Sequence, residues 1–244
     1  MDPLHTHLLE KIRPWLLPAA RVALAPLPSR SMPDSPRYGG APARPEGALW
    51  PTCNACAQPL AFVAQFRAQG RHWRFFYCQS CAPWSEAQRQ VGLCVLESSS
   101  EGEPLAEAQP PRPSAWVPHA WALAPVLSPP LLEDAPLLGS AWPEEYGRWL
   151  QEQAQTEDPD EEETARVFAS WGAWAGVGTQ IGGYPHPIQS FGSTVCDRCS
   201  KQMPLLARLD SEEDVGTMWA DLGAVYLWAC PDHPEQMLFE LQAY

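Results

Sequence analysis

Cysteine and histidine residues of this 244-residue chain fall into two groups with the spacing of metal ligands. The first group is Cys53, Cys56, Cys78 and Cys81, and the second is Cys196, Cys199, Cys230 and His233. A Cys-x-x-Cys turn presents two thiolates to one ion, and a second pair at the far end of a hairpin completes a tetrahedron. Four protein ligands leave no coordination position open for catalysis. We therefore predict two structural zinc ions per chain.

Other roles for these residues stay open at this stage. Paired cysteines are also compatible with buried free thiols or with disulfides, and His233 could belong to a turn that binds no metal. The amino terminus has no basic start and no long apolar run, which argues against a secretion signal. We therefore expect a reducing cytoplasmic location, in which Cys-x-x-Cys pairs hold metal more often than they form disulfides. Cys94, within an apolar segment, is predicted to be a buried, inert thiol.

His186 is the best candidate for a catalytic acid or base. It lies between two prolines in Gly-Gly-Tyr-Pro-His-Pro, and an enzyme reading would pair it with an Asp or Glu of the central region in a hydrolase or nuclease. No partner for such a set is visible in the sequence. A structural, hydrogen-bonded histidine is the favoured prediction, and no catalytic residue is assigned.

Short strands must position the metal ligands. The segments 59–66, 72–78 and 91–97 are predicted to be strands because of their β-branched and aromatic residues. Near the end of the chain, Leu-Leu-Ala-Arg-Leu, Gly-Ala-Val-Tyr-Leu-Trp and Met-Leu-Phe-Glu-Leu are also predicted to be strands. A further short strand is predicted over 21–27. The amino terminus favours a helix capped at Asp2 and ended near Pro14, and further helices are expected at 143–153 and after the acidic run at 157–163.

The two cysteine groups belong to a repeated pattern. At an offset of 143 residues, Gly39-Gly40 aligns with Gly182-Gly183, and Cys53 and Cys56 align with Cys196 and Cys199. At an offset of 152 residues, Cys78 aligns with Cys230. We predict an internal duplication in a β-rich α+β chain. The expected units are an N-terminal helix (1–20), a first β-rich zinc-binding half (21–97), an acidic Pro-rich linker with helices (98–175) and a second zinc-binding half (176–244).

Negative charge is concentrated in the middle of the chain. The formal charge is −13, and the segment from Glu97 to Glu163 contains 15 acids but only Arg112 and Arg148 as bases. Such a segment repels phosphate and favours a basic protein partner over nucleic acid, although a solvated loop would have the same composition. No apolar run is long enough to span a membrane. The predicted protein-binding residues are Glu157, Asp158, Asp160, Glu161, Glu162, Glu163, Trp171 and Trp174.

Two families resemble these motifs. The segment Arg-Tyr-Gly-Gly-Ala-Pro through Pro-Thr-Cys-Asn-Ala-Cys and Phe-Phe-Tyr-Cys-Gln-Ser-Cys resembles the amino-terminal half of the programmed cell death protein 2 family. The segment Gly-Tyr-Pro-His-Pro-Ile-Gln, with Met-Trp-Ala-Asp-Leu-Gly-Ala-Val-Tyr-Leu, resembles the YwqG-like family. The resemblance covers 29–96 and 178–244, but the YwqG-like pattern lacks the cysteines of the second half. It implies the metal ligands and the Gly-Pro scaffold.

The resemblance also bears on function. The eukaryotic relatives are thought to be chaperones for a ribosomal protein, and some bacterial relatives occur near toxin genes. Together with closed metal sites and local negative charge, this leads us to expect a non-enzymatic, zinc-stabilised protein-binding module with a basic client. Immunity to a bacterial toxin is the first alternative, and a hydrolase or nuclease using His186 is the second.

Overall fold

A computed structural model describes residues 3–28, 31–81, 93–112, 116–154, 161–174 and 178–243, with only the backbone at 161–163. The described strands are β1 (Leu17–Pro26), β2 (Arg37–Tyr38), β3 (Ala43–Pro45), β4 (Ala61–Ala68), β5 (Arg71–Tyr77), β6 (Cys94–Ser100), β7 (Leu105–Glu107), β8 (His119–Ser128), β9 (Gln180–Gly182), β10 (Leu205–Asp210), β11 (Ala224–Ala229) and β12 (Met237–Gln242). The described helices are α1 (Pro3–Ile12), α2 (Ala135–Leu138), α3 (Glu144–Ala154) and α4 (Glu161–Ser170), with 3₁₀ turns at Arg13–Trp15, Leu132–Asp134 and Gly139–Ala141.

Ten of these strands form one nearly closed antiparallel sheet. The strand order is β12-β11-β10-β9-β1-β8-β2-β4-β5-β6, and β3 pairs with β7 in a separate small sheet. The long ribbon of β1 and β8 lies at the centre, paired over ten residues from Leu17↔Ser128 to Pro26↔His119. Strands near opposite ends of this order meet across the core, where the rings of Phe75 and Phe239 are 5.6 Å apart. The predicted β-rich class is therefore confirmed.

A single apolar core fills the space inside the sheet. Alternate residues of a strand point to opposite faces, so β5 directs Phe75 inward and Phe76 outward. Strand β11 likewise directs Leu227 into the shared core and Trp228 towards the second cysteine group. Both faces of β11 are covered, which explains its continuous hydrophobic sequence, Ala-Val-Tyr-Leu-Trp-Ala.

A smaller helical cluster packs beside the sheet. Leu8 and Ile12 are four residues apart on one face of α1, and both are buried against α3 and α4. The helix gives way to the 3₁₀ turn that contains Pro14, as predicted, because proline cannot donate the next helical hydrogen bond. Asp2, the predicted cap, lies outside the described residues. None of the described helices is long and apolar enough to cross a lipid bilayer.

The segment expected to be a linker contains a central strand. Strand β8 lies within 98–175 and pairs with β1 on one side and with β2 on the other. Its sequence, His-Ala-Trp-Ala-Leu-Ala-Pro-Val-Leu-Ser, has few β-branched residues and an internal proline, so its intrinsic strand preference is weak. Pairing along its whole length with β1 overrides that preference. The two helices expected in this segment are present as α3 and α4.

Candidate metal centres

The first cysteine pair lies on a tight turn just before β4. The Cys53 amide donates to the Gln58 carbonyl at 2.8 Å, and the Ala57 amide donates to the Cys53 carbonyl at 2.8 Å. Ala57 has a φ of +56°, which lets the chain reverse within this turn. The second pair begins at Cys78, directly after β5, where the Cys78 amide donates to the Leu93 carbonyl at 2.8 Å. The β4–β5 hairpin therefore brings the two pairs to the same end.

The second group is held by the same local arrangement. The Cys196 amide donates to the Lys201 carbonyl at 2.9 Å, and the Ser200 amide donates to the Cys196 carbonyl at 2.9 Å. Ser200 also has a φ of +56°. Cys230 follows β11, and its amide donates to the Gln236 carbonyl at 3.0 Å. Here the β10–β11 hairpin supplies the geometry.

The donor atoms of each group have the spacing of a tetrahedral metal site. Within each group all four lie within 4.8 Å of one another. The Sγ atoms of Cys56 and Cys78 are 3.7 Å apart, and His233 Nδ1 is 3.7 Å from Cys196 Sγ and 3.6 Å from Cys230 Sγ. A tetrahedron with metal–sulfur bonds of about 2.3 Å has sulfur–sulfur edges of about 3.8 Å. Each group can therefore hold one metal ion.

The disulfide alternative does not fit this geometry. A disulfide requires its sulfur atoms to lie about 2.05 Å apart, far less than the separation of Cys56 from Cys78. The eight cysteines of the chain are free thiols. His233, whose membership was left open by the sequence, lies among the three sulfur atoms of its group.

Backbone amides favour thiolates at the first cysteine of each turn. Burial raises the pKa of Cys53, but N–H groups of Cys56 and Ala55 outweigh that effect and lower it to about 7. Burial also raises the pKa of Cys196, but the N–H groups of Cys199 and Arg198 outweigh that effect and lower it to about 6. Metal ions bind the thiolate, so these turns prepare a ligand before an ion arrives.

Two ion pairs clamp the second group. Lys201 Nζ lies 2.7 Å from an Asp232 oxygen, and Arg198 lies 2.8 Å from Glu235. Each pair joins the Cys196 turn to the Cys230 turn. All four side chains are exposed, so each pair contributes little to stability.

Cys94 occupies the position predicted for it. It lies in β6, is 4% exposed and faces the shared core, and burial raises the pKa of its thiol to about 12. A neutral thiol at this position is a poor nucleophile.

His186 has two hydrogen-bonding partners that its sequence neighbourhood does not reveal. Its Nδ1 lies 2.9 Å from an Asp134 carboxylate oxygen, and its Nε2 lies 3.3 Å from Ser128 Oγ. This is the connectivity of a serine–histidine–aspartate triad. However, Ser128 and Asp134 are fully buried and His186 is 7% exposed. Ser128 Oγ also accepts the Tyr184 amide at 2.9 Å, so the set ties the end of β8 to the segment after β9.

The predicted protein-binding residues have diverse placements. Glu157, Asp158 and Asp160 lie outside the described residues, and 161–163 form the backbone of the first turn of α4. Trp171 is 6% exposed and packs against Trp149 and Phe168 in the helical cluster, which does not fit the surface position predicted for it. The Trp171 indole fills the space between the helices and does not face solvent. Trp174 is partly buried, with the Arg21 guanidinium 5.4 Å above its ring.

Sequence reasoning missed a row of polar residues on the outer face of each half of the sheet, all of them buried except Glu97, which is partly buried. Paired positions across the strands form these rows, which are Arg37, Gln65, Arg74 and Glu97 in one half and Gln180, Arg208, Tyr226 and Glu240 in the other. The seven charged or amide side chains in these rows stand at strand positions where alternation predicts an exposed face, which hides their burial. The segment 31–44 supplies hydrogen-bond partners for the first row, and the segment 182–186 supplies carbonyl acceptors for Gln180 and Tyr226 in the second.

This fold and these sites define a class of protein. Its members are β-rich, with a nearly closed antiparallel sheet and two four-donor Cys/His groups. The sequence profile of the domain of unknown function DUF1963 matches residues 68–243, so the chain belongs to the DUF1963 family. YwqG-like proteins carry this domain, in agreement with the resemblance of the second half. The match includes the whole second metal group but only Cys78 and Cys81 of the first. A comparison with curated proteins found no match.

Proposed function

We propose that this chain is a non-enzymatic protein-binding module whose two halves are related by duplication and are each stabilised by one zinc ion. The observation that carries the proposal is the completeness of both donor groups, each with four protein ligands. A saturated site has no position for water or substrate, so its ion holds loops together instead of reacting. The surface that these loops present is then available for a partner.

Ligand chemistry supports zinc. Thiolate and imidazole donors in tetrahedral sets are typical of Zn²⁺, and hard ions such as Mg²⁺ and Ca²⁺ prefer oxygen. The charge of each loaded site stays negative, because two positive charges meet four thiolates in one group and three in the other.

Matching details at a constant offset of 143 residues support the duplication. Left-handed residues occur at Ala57 and Ser200, and strand-register shifts occur at Phe62/Ala64 and at Leu205/Ala207. The strand order is also compatible with a two-fold arrangement around β1 and β8, in which β2, β4, β5 and β6 correspond to β9, β10, β11 and β12. An irregularity shared at the same step of two hairpins is hard to obtain from unrelated sequences.

The charge distribution supports a basic client in the cytoplasm. A formal charge of −13 attracts basic segments over long range and repels nucleic acid. We propose a client of the kind that ribosomal proteins represent, which are basic and contain extended segments. Chaperones of such clients need an acidic surface more than a catalytic centre.

Metal content tests the structural part of this proposal. Mass spectrometry of the protein purified without added metal should give two zinc ions per chain. Cys56→Ser should leave one ion and keep the second site, and Cys199→Ser should do the reverse, because each removes one donor from a single group. The matched control is Cys94→Ser, which should keep both ions. If Cys56→Ser and Cys199→Ser both keep two zinc ions, the proposed sites are refuted.

Affinity purification from the native cells tests the binding part. The wild-type chain should retain a basic protein, and reversal of the charges in 157–163 should reduce its recovery if that acidic run takes part. Identical partners after reversal would exclude this segment as the contact surface.

Toxin immunity is the alternative in the same class. The negative charge would equally suit a basic bacterial toxin. A toxin gene beside the gene for this chain, together with protection of cells that express both, would favour immunity over a chaperone role.

A hydrolase or nuclease remains the second alternative because of the set formed by Ser128, His186 and Asp134. Its burial favours a structural role, since an acyl-transfer serine must reach a substrate carbonyl. A fluorophosphonate probe should therefore leave the native protein unlabelled. Labelling that disappears in Ser128→Ala would support the enzyme alternative and contradict our assignment.

A further inference from the structure

The second half of the chain exposes an acidic and apolar loop that neither the metal groups nor the predicted acidic run explains. The loop 211–223, Ser-Glu-Glu-Asp-Val-Gly-Thr-Met-Trp-Ala-Asp-Leu-Gly, contains four acids and no Lys or Arg. Its side chains divide sharply between core and solvent. Val215 and Trp219 are buried, whereas Met218 is 62% exposed and Leu222 is 60% exposed.

The backbone is strained in the part of the loop that contains Leu222. Ala220 and Leu222 have φ values of +49° and +51°, a region that is costly for residues with a β-carbon. The burial of Trp219, whose indole donates to the Asp210 carbonyl at 3.2 Å, anchors the loop from below. A strained loop that exposes apolar side chains from a rigid base is typical of a binding surface.

A groove continues this surface on the other side of Val117. The Val117 amide donates to the Val215 carbonyl at 2.8 Å, and the rings of Trp116 and Trp219 are 6.5 Å apart, so the segment before β8 runs along the loop. Val117 is itself 51% exposed. It lines an open groove of about 630 Å³ together with Pro26, Leu27, Pro28 and Pro118.

A buried arginine with an unused donor also lines this groove. Arg37 is 2% exposed, and it donates to the Ser31 hydroxyl at 3.4 Å and to the Pro33 carbonyl. Its Nε–H is buried and has no hydrogen-bond acceptor among the residues that the structure describes. Glu107 lines the groove as well and adds negative charge to its wall.

We propose that this groove and the 211–223 loop together bind an extended segment of a basic client, in which apolar and Lys or Arg side chains alternate. In this arrangement the apolar side chains contact Val117, Met218 and Leu222, and the basic side chains face Glu213, Asp214 and Asp221. The proposal rests on the protein-binding function above and assigns it a surface and a ligand chemistry. An extended segment suits the groove because alternate side chains then point to the same side.

The binding test uses the zinc-loaded full chain and three fluorescein-labelled peptides of about 12 residues, which span about 40 Å when extended. In the first peptide Lys alternates with Leu, in the second Lys alternates with Ser, and in the third Glu alternates with Leu. We expect the Lys/Leu peptide to bind at least about tenfold more tightly than either of the others. Preference for the Glu/Leu peptide, or equal binding of all three, would overturn the proposal.

Two sets of substitutions locate the surface. Met218→Ser with Leu222→Ser, and Glu213→Lys with Asp214→Lys and Asp221→Lys, should each weaken Lys/Leu binding by at least about tenfold. The matched control replaces three exposed acids elsewhere, Glu46→Lys, Glu101→Lys and Glu103→Lys, and should change affinity by less than about threefold. A cooperative unfolding transition in urea, with the same midpoint as the wild type within about 0.5 M, confirms that the variants fold.

The outcomes separate this surface from the function on which it rests. Binding by the wild type that all variants retain would refute this surface and leave protein binding intact. Binding lost equally in the control set would reduce the effect to net charge and would also refute the surface. Failure of the wild type to bind any peptide would overturn both the surface and the basic-client function.

Discussion

Glu97 and Glu240 occupy corresponding places in the two polar rows but have different partners. Arg44 forms two hydrogen bonds with the Glu97 carboxylate, at 2.9 and 2.6 Å. Glu240 is 4% exposed, and one of its carboxylate oxygens has no hydrogen-bond partner in the described part of the chain. Its other oxygen accepts from Gln242 at 2.7 Å. The position that would supply a second arginine, 143 residues after Arg44, is Pro187.

We therefore predict opposite effects of the same substitution at these two positions. Glu97→Gln should lower the free energy of unfolding by about 1–3 kcal/mol, because a charge-assisted pair is lost. Glu240→Gln should raise it at neutral pH, because a neutral amide replaces a buried charge that has one unpaired oxygen and no cationic partner among the described residues. Chemical denaturation at pH 7 measures both, and destabilisation by both variants to the same extent would contradict the prediction.

The effect of Glu240 should depend on pH. Burial raises the pKa of Glu240 above its ordinary value of 4.5, in opposition to hydrogen bonds from Gln242 and Gly192. A carboxyl with a raised pKa in the folded state favours folding while it is protonated, and this contribution is lost as the pH rises through the folded-state pKa. The advantage of Glu240→Gln over the wild type should thus grow between about pH 4 and pH 7. If the stability difference between Glu240→Gln and the wild type stays constant over this range, the titration of Glu240 does not cause the pH dependence.

Asp134 satisfies three donors in the buried set around His186. Its carboxylate accepts the Leu131 amide at 2.9 Å, the His186 amide at 3.2 Å and the His186 ring. We expect Asp134→Ala to lower the free energy of unfolding by about 3–5 kcal/mol, because several buried donors lose their acceptor together. The control is Glu145→Ala, whose partner His7 is half exposed, and it should cost less than about 1 kcal/mol. Thermal unfolding of the two variants, at the same zinc content, measures the two losses of stability. Equal losses would contradict the role of Asp134 in holding the buried set together.

The short strand β9 depends on a glycine turn that lets it approach the central ribbon. Gly183 has a φ of +77°, and a β-carbon there would lie 2.7 Å from the Ser128 side chain and 2.9 Å from that of Ala19. Gly47 has nearly the same φ, +75°, but no atom within 4 Å of such a carbon.

Alanine at these two glycines should therefore separate backbone strain from crowding. Gly47→Ala should cost about 1–2 kcal/mol from the left-handed conformation alone. Gly183→Ala should cost about 1–3 kcal/mol more, because its methyl group forces β1 and β8 away from the turn. Urea denaturation measures the difference, and similar costs would show that the close approach is not tight.

The success of sequence reasoning followed the strength of local signals in each element. The cysteine turns and hairpins β4–β5 and β10–β11 were predictable, because ligand spacing and aromatic strands are encoded within about 30 residues. Strand β8 was not, since its ten pairs with β1 bridge about 100 residues of chain and compensate for an Ala- and Pro-rich sequence. The His186 set was hidden for the same reason, because 58 residues separate His186 from Ser128.

Pairing between the halves makes the whole chain one folding unit. Strand β1 from the amino-terminal part pairs with both β8 and β9, and β2 pairs with β8. The core inside the sheet combines Phe75 of β5 with Phe239 of β12. Neither half can bury its inner face without the other, although each contains a complete set of metal ligands.

Complementation of two fragments tests this interdependence. We expect the pieces 1–112 and 113–244, produced separately with zinc, each to bind about one ion through its own turn, since these ligands are local. Neither piece should unfold cooperatively alone, because the 113–244 piece lacks β1 beside β9 and exposes half of the shared core. Mixing the two pieces should restore one cooperative unfolding transition and the near-ultraviolet circular dichroism signal of packed tryptophans. Cooperative unfolding by either piece alone would mean that its half is a self-sufficient domain, and the proposed duplication would then join two folded units instead of building one.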